Sequence, residues 1–248
     1  MSKLQRILFV PDTHRPYHSV EAWRLLLRAG RAFQPDRVVV LGDFADAYQV
    51  SDHSKDPARR HSMADELADA NTGLDELEAL GATHYDFVEG NHEQRMQRYL
   101  WGRAPELASL PSLRVPELLN LHKRGWTYTP FKKHIRIGKL FVTHEAGNAG
   151  FDAHRKAQHA FASNVIIGHT HRTGYAIVGD ARGRSHVGAM FGWLGDVETI
   201  DYAHRIQAMR DWNHGFGVGF MEPDGAIHLQ PVPMIRNRCV VAGELVRG

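Results

Sequence analysis

Cysteine is nearly absent from this chain, which has a single thiol, Cys239, among 248 residues. One thiol cannot form an internal disulfide, so the disulfide-stapled folds of small secreted proteins are excluded. The sequence also lacks any apolar run near the ~20 residues that a membrane-spanning helix needs. Its first apolar run, residues 7–10, ends at Pro11 and is too short for a secretory signal. We therefore expect a cytoplasmic protein with no membrane partner.

Neither sign of charge is in large excess, because 30 Lys and Arg residues against 28 Asp and Glu residues leave a net charge of +2. Such a small net charge does not by itself indicate a nucleic-acid partner. No repeat, low-complexity run or linker divides the chain. We predict one domain over residues 1–248, with a motif-bearing core at 4–171 and a β-rich part at 172–248. Histidine, in contrast, is abundant, with 17 residues.

Polar side chains follow several predicted strands at the point where each strand ends. Residues 38–41 are consecutive apolar residues, typical of a strand buried on both faces of a parallel sheet, and Asp43 and Asp46 come directly after it. Ligands bind beyond the carboxyl ends of strands in open α/β sheets. Predicted strands at 4–10, 84–89, 127–142 and 164–167 are followed in the same way by Asp12 and His14, Asn91 and His92, His144, and His169 and His171.

The rest of the chain divides between helical and β patterns. Apolar periodicity predicts helices at 19–33, 57–80 and 151–162, and short helices broken by prolines within 94–121. We predict a hairpin at 174–187 and antiparallel strands within 216–240. Residues 191–213 are interpreted as a loop with one helix, whose role stays open.

The strand-end residues form a donor set that suits divalent first-row metals or zinc. Each pair alone is weak, and Asn91 alone would be interpreted as a helix N-cap. Seven donors are enough for two ions if Asp43 bridges them, and two such ions activate water and neutralise a phosphoryl group. Manganese is the favoured metal, and iron, zinc, nickel and magnesium remain alternatives. The predicted ligands are Asp12, His14, Asp43, Asn91, His144, His169 and His171.

Five motifs follow one another in the order Asp12-x-His14, Gly42-Asp43-x-x-Asp46, Gly90-Asn91-His92-Glu93, Thr143-His144 and Gly168-His169-Thr170-His171. This set, within residues 7–171, resembles the calcineurin-like metallophosphoesterase superfamily. The resemblance implies an α/β fold, a four-layer αββα sandwich of two mixed β-sheets, with the β-rich tail in the second sheet. It also implies one metal on Asp12, His14, Asp43 and His171, and another on Asp43, Asn91, His144 and His169.

The same resemblance implies roles for His92 and Asp46, and the position of Glu93 before a predicted helix indicates a third role. His92 would not bind metal but would face the substrate, stabilising the transition state or protonating the leaving oxygen. Asp46 would hydrogen-bond His92, fix its tautomer and raise its pKa; a loop-capping role is the alternative. Glu93 is expected to support the first turn of the following helix.

The substrate is less constrained, because this fold serves several classes of phosphate ester. The Asp43 motif is not followed by Arg-Gly, as it is in Ser/Thr protein phosphatases, and Gly-His-Thr-His resembles the phosphodiesterase and nuclease branches. Residues 95–136 carry nine basic and two acidic side chains, interleaved with aromatic ones. Arg95 and Arg98 are predicted to hold substrate phosphates, with aromatic rings stacking on bases. A solvated helix face over core aromatics is the alternative.

The acids of the helix at 57–80 are expected to face away from a polyanion. Residues 212–219 loosely resemble small single-domain members of the superfamily common in phages and bacteria. We therefore predict a two-metal phosphodiesterase or nuclease acting on nucleotides, DNA or RNA. A phosphomonoesterase, acting on a small molecule or a protein, and a non-catalytic nucleic-acid-binding module are the alternatives. The oligomeric state is not predicted.

Overall fold

Two β-sheets form the centre of the molecule. The computed structural model describes residues 4–179, 181–200 and 211–248. The first sheet has the spatial order β11 (Ile227–Pro233), β10 (Gly215–Met221), β1 (Gln5–Val10), β2 (Arg37–Val40), β3 (His84–Val88) and β4 (Thr127–Thr129). The second has the order β5 (Ile135–Ile137), β6 (Leu140–Thr143), β7 (Asn164–Ile167), β9 (Ser185–Phe191) and β8 (Thr173–Gly179). Both sheets are mixed, since each contains parallel and antiparallel pairs.

Alternation along the strands explains how the sheets stack. Successive strand residues point to opposite faces, so Phe9 and Val39 pack between the sheets against residues such as Val142 of β6. Leu8 and Val38 point the other way, into a cluster with helices α1 (Val20–Phe33) and α2 (Met63–Glu78). Helix α6 (Ala153–Phe161) covers the outer face of the second sheet. The expected four-layer αββα sandwich is confirmed.

Helix α2 begins six residues later than its apolar pattern predicts. Its N-terminus is set by a capping box, in which Asp65 N donates to Ser62 Oγ at 3.2 Å and Ser62 N donates to Asp65 Oδ2 at 2.8 Å. These reciprocal bonds satisfy backbone donors that the first helical turn leaves unpaired. The helices between β3 and β4 are α3 (Gln94–Arg103), α4 (Val115–Leu118) and α5 (Leu121–Arg124), as the prolines in this segment predict.

The β-rich tail does not lie wholly in the second sheet, so that expectation is wrong. Strands β8 and β9 do join the second sheet, but β10 pairs antiparallel with β1 in the first sheet, and β11 extends it. Strands β12 (Arg238–Val241) and β13 (Glu244–Arg247) form a separate ribbon. Part of the predicted loop and helix at 191–213 falls on residues 201–210, outside the described residues.

Among the described residues, every helix is too short or too polar to cross a bilayer.

Candidate metal centre

The polar residues that follow five strands converge at one edge of the sandwich. Parallel strands β1, β2 and β3 end side by side in the first sheet, and β6 and β7 end side by side in the second. Their carboxyl ends therefore point the same way, and the loops beyond them meet across the two layers. All seven predicted ligands lie in these loops, together with His92 and Asp46.

One group of candidate ligands comes from the first and last motifs. Ligand atoms of Asp12, His14 and His171 lie within 4.8 Å of one another, and all three residues are buried. The distance from His171 Nε2 to Asp12 Oδ2 is 3.2 Å, and that from His171 Nε2 to His14 Nε2 is 3.0 Å. Asp12 Oδ1 accepts a bond from the backbone N–H of His169 at 3.0 Å, so the carboxylate is held in place.

A second group forms around the other end of the cluster. Asp43, His144 and His169 bring ligand atoms within 4.8 Å of one another. His144 Nε2 lies 3.3 Å from Asp43 Oδ2 and 3.1 Å from Asn91 Oδ1, which places the Asn91 side chain at this group. The other nitrogen, His144 Nδ1, lies 2.8 Å from the carbonyl oxygen of Leu41. That contact fixes the ring with Nε2 toward the group.

Asp43 lies between the two groups and also within 4.8 Å of His14 and His92 ligand atoms. Its position suits a carboxylate shared between two sites. The donor set fits divalent cations, because imidazole nitrogens face buried carboxylate oxygens, as His171 Nε2 faces Asp12 Oδ2. Metal sites with this composition hold manganese, iron, zinc, nickel or magnesium, and the ligand set is compatible with each of these metals.

The protonation states of these groups favour a cation at Asp43 and His171 but oppose one at His144. Burial would raise the pKa of Asp43, but the charges of His144 and His92 outweigh it and hold that pKa well below its usual value. Burial lowers the pKa of His171 to about 4, despite its contact with Asp12. An ionised carboxylate and a neutral imidazole are the forms that bind metal. Burial opposes protonation of His144, yet the charge of Asp43 raises its pKa to about 10, so a proton competes with metal there.

Four candidate ligands have backbones in the left-handed region, which side chains other than glycine rarely adopt. Their φ angles are 57° for His14, 49° for Asp43, 66° for His169 and 58° for His171. Gly42, just before Asp43, has φ 96°, and a Cβ there would collide with the His144 ring. The sharp turns that aim these side chains inward therefore hold the backbone under strain.

His92 lies beside the cluster, between Asp46 and Arg95. Its Nδ1 contacts Asp46 Oδ1, as the resemblance implies. Arg95 Nη2 lies 3.0 Å from His92 Nε2, and Arg95 Nη1 donates to Asp46 Oδ1 at 3.0 Å. Because arginine can only donate, Nε2 accepts and the ring proton is on Nδ1, facing Asp46. The ring is thereby fixed in one tautomer.

The expected rise in the pKa of His92 is wrong in this structure. Burial lowers that pKa, and the nearby charges of Asp43 and Asp46, which on their own would raise it, do not compensate. The sequence did not indicate that His14 and Arg95 also face this ring and disfavour its protonated form. Asp46 therefore orients the His92 ring, but the pKa of His92 is not raised.

Glu93 does not support the helix that follows it, in contrast to the prediction. Its carboxylate turns back toward the strand ends and accepts four backbone N–H groups. Oε1 accepts from Phe44 at 2.6 Å and Ala45 at 2.8 Å, and Oε2 accepts from Asp43 at 3.0 Å and Gly90 at 2.9 Å. A single buried side chain thus ties the Asp43 loop to the His92 loop. Its position in the third motif was visible in the sequence, but its partners at residues 43–45, about fifty residues away, were not.

Trp193 was also missed as a site residue, although its segment was left open. Its ring stacks on His171, with centroids 4.7 Å apart and planes 14° apart, and it is only 2% exposed. Trp212 contacts the same imidazole edge-on, with centroids 4.4 Å apart. Both tryptophans pack in a cluster with Tyr17, Tyr48 and Ile200, while Tyr202 lies outside the described residues. Trp193 therefore packs on the face of the His171 ring, and Trp212 makes an edge contact with it.

The calcineurin-like phosphoesterase family model matches residues 5–204. The chain belongs to this family. Among curated proteins, the Gene 54 protein of Mycobacterium phage D29 is 27% identical over 262 residues, covering 99% of both chains. The family and the cluster of His and Asp residues together support a phosphate-ester hydrolase that uses divalent metal.

Solved structures resemble the chain more distantly. Vacuolar Protein Sorting 29 from Cryptosporidium parvum has a TM-score of 0.48 at 12% identity, covering 98% of this chain and 95% of its own. The nuclease MPE from Pseudomonas putida has a TM-score of 0.39 at 14% identity, covering 96% and 85%. At this level of similarity, nothing about the substrate of this chain follows from either protein.

Some residues of the basic segment at 95–136 contact the metal centre, and others contact the surrounding scaffold. Arg95 reaches His92, whereas Arg98 is exposed and pairs with Asp52 at 3.1 Å. Arg124 is bound by acids of α2, with Arg124 Nη1 3.0 Å from Glu78 Oε2, and Trp126 is buried. The acids of α2 therefore neutralise part of this segment, which the sequence did not indicate. Only part of it is available to a substrate.

Proposed function

We propose that this protein is a two-metal phosphodiesterase that hydrolyses nucleotide or nucleic-acid phosphodiesters. The observation that carries the proposal is the convergence of two ligand groups on Asp43, beside an oriented histidine. Asp12, His14, Asp43 and His171 would hold one cation, and Asp43, Asn91, His144 and His169 the other. When bound, such a pair of cations lowers the pKa of water and neutralises charge on the phosphoryl oxygens.

The residues around the ligands have separate tasks in this proposal. Once Arg95 leaves His92 Nε2, that nitrogen would take up a proton from solvent and give it to the leaving oxygen as the P–O bond breaks, while Asp46 keeps the ring in one orientation. Arg95, now 3.0 Å from Nε2, turns its guanidinium to a phosphate oxygen of the substrate. Arginine suits this task because its donors match the geometry of phosphate oxygens. Arg98, exposed beyond it, is proposed to contact a flanking phosphate.

The test compares manganese-supplemented hydrolysis of bis-p-nitrophenyl phosphate, p-nitrophenyl phosphate, and single- and double-stranded DNA. The diester and at least one DNA are expected to be cleaved faster than the monoester. His92→Ala is expected to lower kcat by about 10²–10⁴-fold with metal content unchanged, the usual effect of losing a proton-transfer group. His228→Ala, at an exposed histidine paired with Glu222, is the control. Faster cleavage of the monoester would replace the proposal with a phosphomonoesterase, and full activity in His92→Ala would remove that residue from the reaction.

Metal content tests the shared carboxylate separately. Asp43→Asn removes one negative charge at the residue common to both groups and is expected to lower bound metal from two ions to none. Elemental analysis after gel filtration measures the stoichiometry. Retention of two ions by the variant would show that Asp43 does not bridge them.

A further inference from the structure

A cavity of about 420 Å³ lies next to the metal centre and contains none of its ligands. It lies between α3, the segment leading to α4, and the loop that follows β4, and its walls include Gln94, Gln97, Arg114, Tyr128 and Phe131. Its volume is within the ~300–1,000 Å³ that is common for small-molecule sites. None of the roles proposed above for the metal-centre residues involves this cavity.

Two of its walls continue into the metal centre. Gln94 is two residues beyond His92, at the start of α3. On the other side, the Phe131 ring centroid lies 6.4 Å from that of His144, a candidate ligand of the second group. A substituent on a phosphate held at the metal centre therefore has the cavity directly beside it.

The aromatic wall of the cavity is held in place by a buried carboxylate. Glu89 Oε2 accepts bonds from the Tyr128 hydroxyl at 2.6 Å and from the backbone N–H of Phe131 at 2.8 Å. With its hydroxyl engaged, Tyr128 offers its ring to the cavity and not its polar end. The flat apolar surface is thus formed before any ligand arrives, which reduces the ordering that binding requires.

Three other lining residues, Gln94, Gln97 and Arg114, are polar and suit the edge of a ring. Gln94 and Gln97 are three residues apart and so lie on one face of α3. Each amide offers both a donor and an acceptor, and the half-buried positions of both limit their freedom. Arg114, exposed at the mouth, adds a planar cation that can stack on a ring. An alkyl chain would leave these polar groups unmatched, and a bare phosphate would leave the aromatic wall unused.

We propose that this cavity, named the base pocket, binds the nucleobase adjacent to the scissile phosphate. A nucleobase is flat, and its edge carries donors and acceptors together, so it matches both kinds of wall. This inference rests on the proposed phosphodiesterase function and names the part of the substrate that the enzyme recognises. Single-base recognition also agrees with a basic segment that is partly neutralised by α2.

The test compares two diesters that differ only in the base. One is adenosine 5′-(p-nitrophenyl phosphate), and the other carries hydrogen in place of the base. The manganese-loaded protein is expected to give a kcat/KM about 5- to 150-fold higher for the base-bearing ester, the range that base stacking provides. Gln97→Ala and Arg114→Ala are each expected to bring this ratio toward one. Alanine is a good helix former, so Gln97→Ala preserves α3.

Arg103→Ala is the matched control, because Arg103 is an exposed arginine of α3 that does not line the cavity. It is expected to leave the ratio unchanged. A ratio near one in the unmodified protein, or an unchanged ratio in both pocket variants, overturns the base pocket.

Binding separates the base pocket from the proposed function. Calorimetry on the manganese-loaded protein compares AMP with ribose 5-phosphate, and a similar preference for AMP is expected. If neither diester is cleaved but this preference exists and falls in the pocket variants, the base pocket stands and the phosphodiesterase proposal fails. If both diesters are cleaved equally and neither ligand is preferred, the phosphodiesterase stands and the base pocket is overturned.

Discussion

Replacing Trp193 by alanine should weaken metal binding and stability together, because one ring supports both. Trp193 is buried against His171 and packs in a cluster with Tyr17, Tyr48 and Ile200. It makes no direct contribution to the ligand set, since its only polar atom is an indole N–H donor. Any loss of metal affinity must therefore act through the orientation of the imidazoles that Trp193 contacts, chiefly His171, which it stacks on, and His14, whose ring centroid lies 6.2 Å away.

The magnitude follows from the burial of the ring. Removing a buried Trp costs about 3–5 kcal/mol in free energy of unfolding, and ~25 cal/mol per Å² over the 150–250 Å² that such a ring buries gives a similar figure. In a chain of this length, about 2–4 °C of Tm is lost per kcal/mol, so Tm should fall by about 6–20 °C. Loss of support for a metal ligand typically lowers affinity by about 10–100-fold.

The assay measures Tm by differential scanning calorimetry, and manganese affinity by titration at a temperature where every variant is folded. Trp193→Phe keeps a ring against His171 and should retain most of the metal affinity. Trp101→Ala, at a tryptophan that is 58% exposed, is the control and should change neither quantity. If Trp193→Ala lost stability but bound manganese as tightly as the unmodified protein, the argument that stacking orients His171 would be refuted.

Two further predictions concern buried carboxylates. Glu93→Gln places an amide NH₂ against backbone N–H groups that now donate to the Glu93 carboxylate. The Asp43 loop should therefore shift, and hydrolysis of the diester should fall by at least about 10-fold. Glu106→Gln, at an exposed glutamate, is the control, and equal activity of the two variants would refute this role of Glu93. Burial, with the charge of Asp46, raises the pKa of Glu66 to about 7, above the ~4.3 of an unfolded chain. The stability that Glu66 contributes is therefore present at low pH and is lost as pH rises through 7. Glu66→Gln should raise the free energy of unfolding at pH 8.5 by no more than about 3 kcal/mol, with a higher Tm, and should change neither at pH 4; an equal effect at both pH values would contradict the burial argument.

The sequence could predict the ligand cluster because its logic is local. A buried strand, an abrupt end and a polar side chain can all be recognised within ten residues, and parallel strands then bring the ends together. The edge of the sheet that gathers Asp12, Asp43 and Asn91 follows from strand direction alone. For the same reason the hairpin of β8 and β9, whose turn lies within the pattern, was predicted correctly.

The role of Glu93 and the sheet assignment of the tail could not be predicted, because both depend on partners far apart along the chain. Glu93 has the composition of a helix-start residue, and only the folded chain brings the Asp43 backbone to its carboxylate. The tail was assigned to the second sheet because an alternating pattern shows that a strand has two faces, but not which edge it pairs with. The start of α2 was misplaced for a local reason: the helical pattern was extended back to Pro57, whereas the capping bonds of Ser62 decide the boundary.

The left-handed backbone at His14, Asp43, His169 and His171 has a consequence for engineering and for evolutionary drift. Each such residue adds about 1–3 kcal/mol of strain, which the chain retains only while the inward-facing side chain is useful. Alanine at any of these positions would abolish the ligand and keep the strain, whereas glycine would abolish both. An inert yet stable version for capturing substrates is thus better built with glycine. In relatives that no longer need the activity, glycine at these four positions would increase stability, and the resulting protein would be stable but inactive.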